Sequence, residues 1–199
     1  MATFGGLTSL EIAKDGEVKV TPLIKGTSAL AEFVANTHLY YTGFRRDALE
    51  VLQDQNQALE EDANPQRSQV EDSLKRIHEL GYAIKDAIVS DNYDRWGELL
   101  HTHWIHKKNL SSKISLTRVD QIYEEVRRNC NVLGGKISGA GGGGFLMLYC
   151  TGHHKRLESY MASQNMPRLH YSIEPQGTKV VADLGPGMEQ AQVILGERA

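Results

Sequence analysis

Apolar positions alternate with polar ones at the start of the chain, from Leu7 to Ala13 and again from Val18 to Val20. Lys14-Asp15-Gly16-Glu17 lies between the two runs, and Asp-Gly between alternating runs is a strong short-range signal for a β-hairpin. A third strand is expected at Thr37-His38-Leu39-Tyr40-Tyr41, ending on Thr42-Gly43. The period then changes to that of a helix. Ala48, Leu49, Leu52 and Leu59 are carried on an unbroken stretch from Arg45 to about Glu60. The polar, proline-containing segment from Glu60 to Arg67 reads as an exposed loop. Ser68 and Glu71 have the spacing of a capping box, and behind them Val70, Leu74, Ile77, Ile84 and Ile88 share one helical face. A further helix is expected from about Asp94 through Leu110, with Trp96 and Trp104 in the core. Thr117-Arg118-Val119-Asp120 has capping form again, ahead of Ile122, Tyr123 and Val126.

The last third has a different texture. A glycine-rich loop from Gly139 to Gly144 runs directly into Phe145-Leu146-Met147-Leu148-Tyr149-Cys150, an apolar run that suits a buried strand. A helix is expected from His153 to about Gln164. Arg168–Ile173 and Thr178–Val181 read as a strand pair, and the tail after Gly185-Pro186-Gly187 as frayed. These elements predict an α+β fold, with helices packed on an antiparallel sheet and an N-terminal β-hairpin ahead of them.

Composition narrows the function classes. With 199 residues, 40% hydrophobic and 24% charged, the chain can build a packed core and does not read as disordered. A net charge of −3 gives no overall attraction to nucleic acid or to anionic membranes, so neither is expected as a partner, and any anion site must be local. Cys130 and Cys150 form no disulfide framework and no Cys-x-x-Cys pair, and read as reduced structural thiols. The sequence shows neither a leader pattern nor an apolar run of membrane-spanning length, so a cytoplasmic location is expected.

Five of the six residues from 139 to 144 are glycine. Ordering such a run costs roughly 1 kcal/mol per glycine relative to alanine, so it needs a geometric reason: positive φ, or amides brought close to an anion. Gly139-x-Gly141-x-x-Gly144 has the spacing of a dinucleotide fingerprint. That motif follows a strand and opens a helix, whereas this loop opens a strand. A Walker A loop would end in Gly-Lys-Ser/Thr and is excluded. A glycine bend that only permits close packing stays open at this point.

The segment Gly135-Lys136-x-x-Gly139-Ala140-Gly141-Gly142-Gly143-Gly144-Phe145 resembles the third conserved motif of the GHMP kinases, which include galactokinase, homoserine kinase, mevalonate kinase and phosphomevalonate kinase. Leu39-Tyr40-Tyr41-Thr42-Gly43-Phe44-Arg45-Arg46, Trp104-Ile105-His106-Lys107-Lys108-Asn109-Leu110-Ser111 and the opening Phe4-Gly5-Gly6 are similar to segments of the D-glycero-D-manno-heptose phosphate kinase branch. The resemblance covers residues 3 to 182 and implies the C-terminal lobe of such a kinase, with a ferredoxin-like core. It divides the chain into a hairpin segment (residues 1–30) belonging to or bridging toward an N-terminal lobe, a C-terminal domain (31–184) and a tail (185–199). In complete form the enzyme would use ATP and Mg²⁺ to phosphorylate the anomeric hydroxyl of D-glycero-D-manno-heptose 7-phosphate. The family's Pro-x-Gly-x-Gly-Ser-Ser motif for the ATP phosphates does not occur in this sequence, and the expected catalytic base lies outside it. The resemblance therefore implies an incomplete kinase, inactive alone, with a missing N-terminal lobe as its partner. A kinase lobe for another sugar such as fucose or galactose, or a non-catalytic sugar-phosphate-binding or assembly module, are the alternatives. Apolar surface left by a missing lobe would also favour a homo-oligomer.

Candidate site residues follow from both lines. Gly139, Ala140, Gly141, Gly142, Gly143 and Gly144 form the expected phosphate- or nucleotide-binding loop, with Lys136 able to aim its ammonium at a phosphate. Thr42, Gly43 and Arg45, at a strand-to-helix junction, offer backbone donors and a guanidinium for a sugar phosphate. Lys108, Ser111 and Ser112 near the end of the long helix complete the expected substrate site. His101, His103 and His106 suggest a metal, but on a helix only His103 and His106 share a face and no third ligand accompanies them, so no metal site is expected.

Overall fold

The computed structural model describes residues 3–44, 48–60 and 64–179. They fall into two units, residues 26–172 and the two terminal segments on either side of them. In the terminal unit β1 (Leu7–Ile12) pairs antiparallel with β2 (Val18–Leu23), from Leu7 opposite Leu23 to Ile12 opposite Val18. The expected Asp15-Gly16 turn closes this hairpin. Gly16 has a φ of 89°, and the Asp15 carboxylate accepts from the Glu17 amide at 3.0 Å. Residues 173–179 lie along the start of the chain, where the Gly6 amide donates to the Glu174 carbonyl at 2.8 Å.

The larger unit holds a four-stranded sheet of β3 (Thr37–Tyr41), β4 (Val132–Ile137), β5 (Phe145–Cys150) and β6 (Arg168–Leu169). Every pair is antiparallel and the order is β4-β5-β3-β6. Helices α1 (Thr27–Asn36), α2 (Ala48–Glu60), α3 (Arg67–Val89), α4 (Tyr93–Lys108), α5 (Thr117–Asn129) and α6 (His154–Ser163) complete it. From β3 onward the chain runs strand, helices, strand, strand, helix, strand, and the middle hairpin sits at one side of the sheet. This is the ferredoxin-like arrangement, with α2 to α5 inserted in the first crossover.

Strand alternation sorts the two faces. Tyr40, Ile137, Leu146, Leu148 and Cys150 point one way and are buried with Val119, Ile122, Tyr123 and Val126 of α5 and Leu157 and Met161 of α6. Each large apolar side chain so enclosed contributes roughly 1.5–3 kcal/mol. Gly134, Lys136, Met147 and Tyr149 take the other face, where α4 packs. Contact between α4 and β4 is unusually close: a Cβ on Gly134 would stand 2.0 Å from the Gly97 carbonyl oxygen and 2.7 Å from the His101 nitrogen. Two glycines let helix backbone rest on strand backbone.

Some expectations need correction. The capping box at Ser68 is not made. α3 begins at Arg67 with Gln66 as its cap residue and no side-chain cap bond, and Glu71 pairs with Arg67 at 3.0 Å. Thr117 does not cap α5 either, because it is the first helical residue, after Leu116. A cap does form at α4, where the Asn92 side chain accepts from the Arg95 amide at 3.1 Å. Leu74 stays exposed although Val70 on the same helix is buried. The expected strand pair is not seen: Arg168 and Leu169 pair with Tyr40 and Leu39 of β3, and residues 170–179 form no strand. Val180, Val181 and the tail lie outside the described residues, as do Arg45–Asp47 and Glu61–Ala63. α1 and β4 go beyond what the sequence pattern suggested.

Candidate functional site

The glycine loop joins β4 to β5, and its conformation is set by bonds from three other segments. Gly144 exchanges with the stretch after β3: its carbonyl accepts from the Thr42 amide at 2.8 Å and the Thr42 hydroxyl at 3.0 Å, and its amide donates to the Phe44 carbonyl at 2.9 Å. The Gly142 amide donates to the Ile114 carbonyl at 2.7 Å. At the near end the Lys107 ammonium, from the last turn of α4, donates to the Gly139 carbonyl.

Glycine is required by this path. Gly139, Gly141, Gly142, Gly143 and Gly144 have φ of 74°, 111°, 76°, 149° and 81°, a region that side-chain-bearing residues avoid. Gly143 is also pressed against the chain, since a Cβ there would lie 2.6 Å from the Phe44 carbonyl oxygen. Among the described residues, no group accepts from the amides of Gly139, Ala140, Gly141 or Gly143. In a trans peptide, N–H and C=O point in opposite directions. Lys107, by holding the Gly139 carbonyl, therefore turns the Ala140 N–H away from itself. Consecutive unpaired donors of this kind form an anion-binding concavity.

Two cations flank the loop. Lys136 follows Gly134 by one full pleat, so it points to the α4 side of the sheet, where His103 and Lys107 stand one turn apart on the helix. Burial lowers the Lys136 ammonium pKa. Burial and then the charge of Lys136 push Lys107 down to about 8. Burial, followed by Lys136, Lys107 and His106, pushes His103 down to about 4. Among the described residues, no carboxylate pairs with either lysine. Buried like charges without a counter-ion are costly, and such perturbed groups mark functional sites.

The other sequence-derived candidates are placed variously. Thr42 is buried and serves as the loop anchor, and Gly43 beside it is exposed with a φ of 79°. Arg45 lies outside the described residues. Lys108 turns away from the loop to Asp120 at 2.9 Å, with its ammonium 5.8 Å from the Trp104 ring centre. The Ser111 hydroxyl donates to Asp54 and accepts from the Lys113 amide at 3.0 Å. Lys113 reaches the same carboxylate at 3.4 Å. The Ser111 bond and then Lys113 hold Asp54 below the usual carboxylate range. Ser112 is exposed. Both His101 nitrogens are engaged: Nε2 accepts from Arg127 at 2.9 Å, so Nδ1 carries the proton and donates to the Tyr123 hydroxyl at 2.9 Å. Lys107 and Asp54 escaped the sequence reading, and His103 was weighed there only as a metal ligand. Lys107 stands in a basic run at a helix end, where the ordinary role of a cation is to face the helix dipole.

Residues 84–168 match the family model for the GHMP kinases C terminal domain. Over that stretch the chain is similar to the C-terminal lobe of the GHMP kinases. Over 151 residues it is 28% identical to the D-glycero-alpha-D-manno-heptose 7-phosphate kinase of Campylobacter jejuni, covering 74% of this chain and 42% of that protein. Among solved structures, the L. major mevalonate kinase in complex with R-mevalonate superposes with a TM-score of 0.65 at 16% identity, over 88% of this chain and 51% of that one. A D-glycero-D-manno-heptose 1-phosphate kinase from Bacteroides thetaiotaomicron superposes with a TM-score of 0.57 at 18% identity, over 88% and 45%. At those identities the two structures share the fold. The chain spans about half the length of these GHMP kinase relatives.

Proposed function

We propose that this lobe is the C-terminal part of an ATP-dependent sugar kinase that phosphorylates D-glycero-D-manno-heptose 7-phosphate at its anomeric hydroxyl. The observation that carries the reading is the glycine loop itself: amides without a partner among the described residues, in a loop held by fixed anchors, next to two lysines that pair with no described carboxylate. Phosphoryl transfer needs positioning and charge stabilisation above all, and amides with ammonium groups supply both to phosphate oxygens. The similarity to a heptose 7-phosphate kinase supports the choice of sugar.

The rest of the machinery belongs to an N-terminal lobe that would bring the main triphosphate cradle, the general base and Mg²⁺ with the nucleotide. The described residues contain no helix long and apolar enough to cross a membrane, which accords with a cytoplasmic kinase. The 199-residue chain alone is expected to show no turnover with MgATP and heptose 7-phosphate, and activity should appear when the N-terminal half of a heptose 7-phosphate kinase is co-expressed with it. Phosphate release or transfer by the lobe alone, above a mock-purified control, would refute its dependence on a second lobe. A reconstituted enzyme that preferred galactose or fucose would refute the choice of sugar.

A further inference from the structure

We propose that Lys107 and Lys136, with His103 beside them, form a subsite for a phosphate monoester, separate from the anion position offered by the loop amides. It rests on the kinase reading only for the identity of the ligand.

Three contacts fix the alignment of α4 on β4. Gly97 and His101 lie against Gly134, and Lys107 reaches Gly139. Helix and strand therefore run side by side toward the loop, and His103 and Lys107 come to the level of Lys136, the next residue on the same face of β4. Lys107 is 9% exposed and spends one donor on the Gly139 carbonyl, which leaves two of its three N–H groups for a ligand. Lys136 makes no hydrogen bond or ion pair through its side chain among the described residues. His103 Nδ1 is buried without a partner.

Among the described residues no carboxylate pairs with either lysine; Asp120 is committed to Lys108, and Asp54 to Ser111 and Lys113. Two ammonium groups and one spare imidazole nitrogen at one place match the oxygens of a dianion. A monovalent anion would leave one lysine uncompensated. The Ala140 amide faces away from Lys107, as the trans peptide at Gly139 requires, so the two positions can be filled by two different phosphoryl groups. In a sugar-phosphate kinase these are the acceptor's own phosphate and the terminal phosphate of the nucleotide.

Calorimetric titration of the 199-residue chain at fixed ionic strength and pH 7, with inorganic phosphate, glucose 6-phosphate and MgATP, tests this. Lys136→Met should weaken inorganic phosphate and glucose 6-phosphate at least tenfold, and Lys107→Met likewise. If MgATP is weakened less than threefold, the subsite takes the acceptor's phosphate. If it falls as much as the monoester, the subsite takes the nucleotide's terminal phosphate. Lys136 anchors no loop backbone, so its variant remains informative even if Lys107→Met unfolds the loop. In the wild-type chain, phosphate should also raise the titration midpoint of the lysine Nζ resonances followed by NMR, which a purely structural lysine would not show. Unchanged monoester affinity in Lys136→Met, with unmoved Nζ midpoints, would overturn the subsite. Gly141→Ala separates the two proposals. If it leaves MgATP binding intact while the lysine variants abolish phosphate binding, the nucleotide-loop reading falls and the lysine subsite stands.

Discussion

Gly139 and Gly143 have the same residue type and both have positive φ, yet their surroundings differ. A Cβ on Gly139 meets nothing within 4 Å, whereas one on Gly143 would lie 2.6 Å from the Phe44 carbonyl oxygen and 2.9 Å from its carbon. Alanine at 139 thus bears only the conformational cost of a left-handed residue, roughly 1–2 kcal/mol. Alanine at 143 must also drive the loop off the chain after β3, which breaks the bond between the Gly144 amide and Phe44. Gly143→Ala is expected to cost about 3 kcal/mol and to lose MgATP binding, while Gly139→Ala costs only the roughly 1–2 kcal/mol of its left-handed backbone and keeps its ligand. Urea denaturation of the two variants together with titration checks this, and equal costs would show that the loop yields freely at Phe44. Such a difference is invisible in a run of glycines. The sequence marks the loop as one that needs glycine, but not which glycines are held by contact and which by φ alone.

At the scale of elements, the join between α4 and β4 governs the site. Gly134→Ala should lift the helix, because backbone at 2.0 Å cannot give way as a flexible side chain would. A loss of about 3 kcal/mol or more is expected, with Lys107 carried away from Lys136 and phosphate binding lost. Thermal denaturation and the phosphate titration would check both, and a variant of wild-type stability would refute the close approach. The same join explains why β4 is illegible in the sequence. Gly134-Gly135-Lys136 has poor strand propensity and merges by eye with the glycine loop, and its strand is made by helix packing on one side and the β5 ladder on the other. β5, with its apolar run, and the β1–β2 hairpin, with its Asp-Gly turn, were legible because their signals are local. α1 was missed for a different reason: Ala29, Leu30, Ala31, Phe33, Val34 and Ala35 make the segment apolar on most sides, so no broad polar face sets off a helical period, and only Phe33 is buried. The caps at Ser68 and Thr117 were misread because Ser-x-x-Glu and Thr-x-x-Asp patterns also occur inside a first turn, and only the path of the preceding chain decides between the two. Site legibility follows the same rule. The glycine loop and Lys136 are contiguous in sequence and could be found, whereas Lys107 is brought to them only by the packing of α4.

For the 26–172 unit as a whole, acid should be destabilising before its carboxylates titrate. His38 is fully buried, with Nδ1 3.0 Å from the Tyr40 hydroxyl and Nε2 3.0 Å from His154 Nδ1. Burial, then the charges of Arg168 and His154, push it down to about 4, although Glu158 at 4.0 Å pulls the other way. His103, beside Lys136 and Lys107, is lowered to about the same value. Both histidines titrate near 6.5 in the unfolded chain, which therefore takes up the proton first as pH falls. Their contribution is fully present above pH 6.5 and is lost between there and about 4, on the order of 2–3 kcal/mol for His38. Asp54 and Glu158, held low by Ser111 and Arg168 respectively, lose their share only at lower pH, so the window from 6.5 to about 5 isolates the histidines. Urea midpoints across that window should fall steeply in the wild-type chain. They should fall less steeply in His38→Gln, which begins from a lower stability at pH 7 but carries no imidazole to protonate. Parallel slopes for the two proteins would mean that His38 accepts its proton in the folded state without penalty, and that the Tyr40–His38–His154 chain opens to solvent.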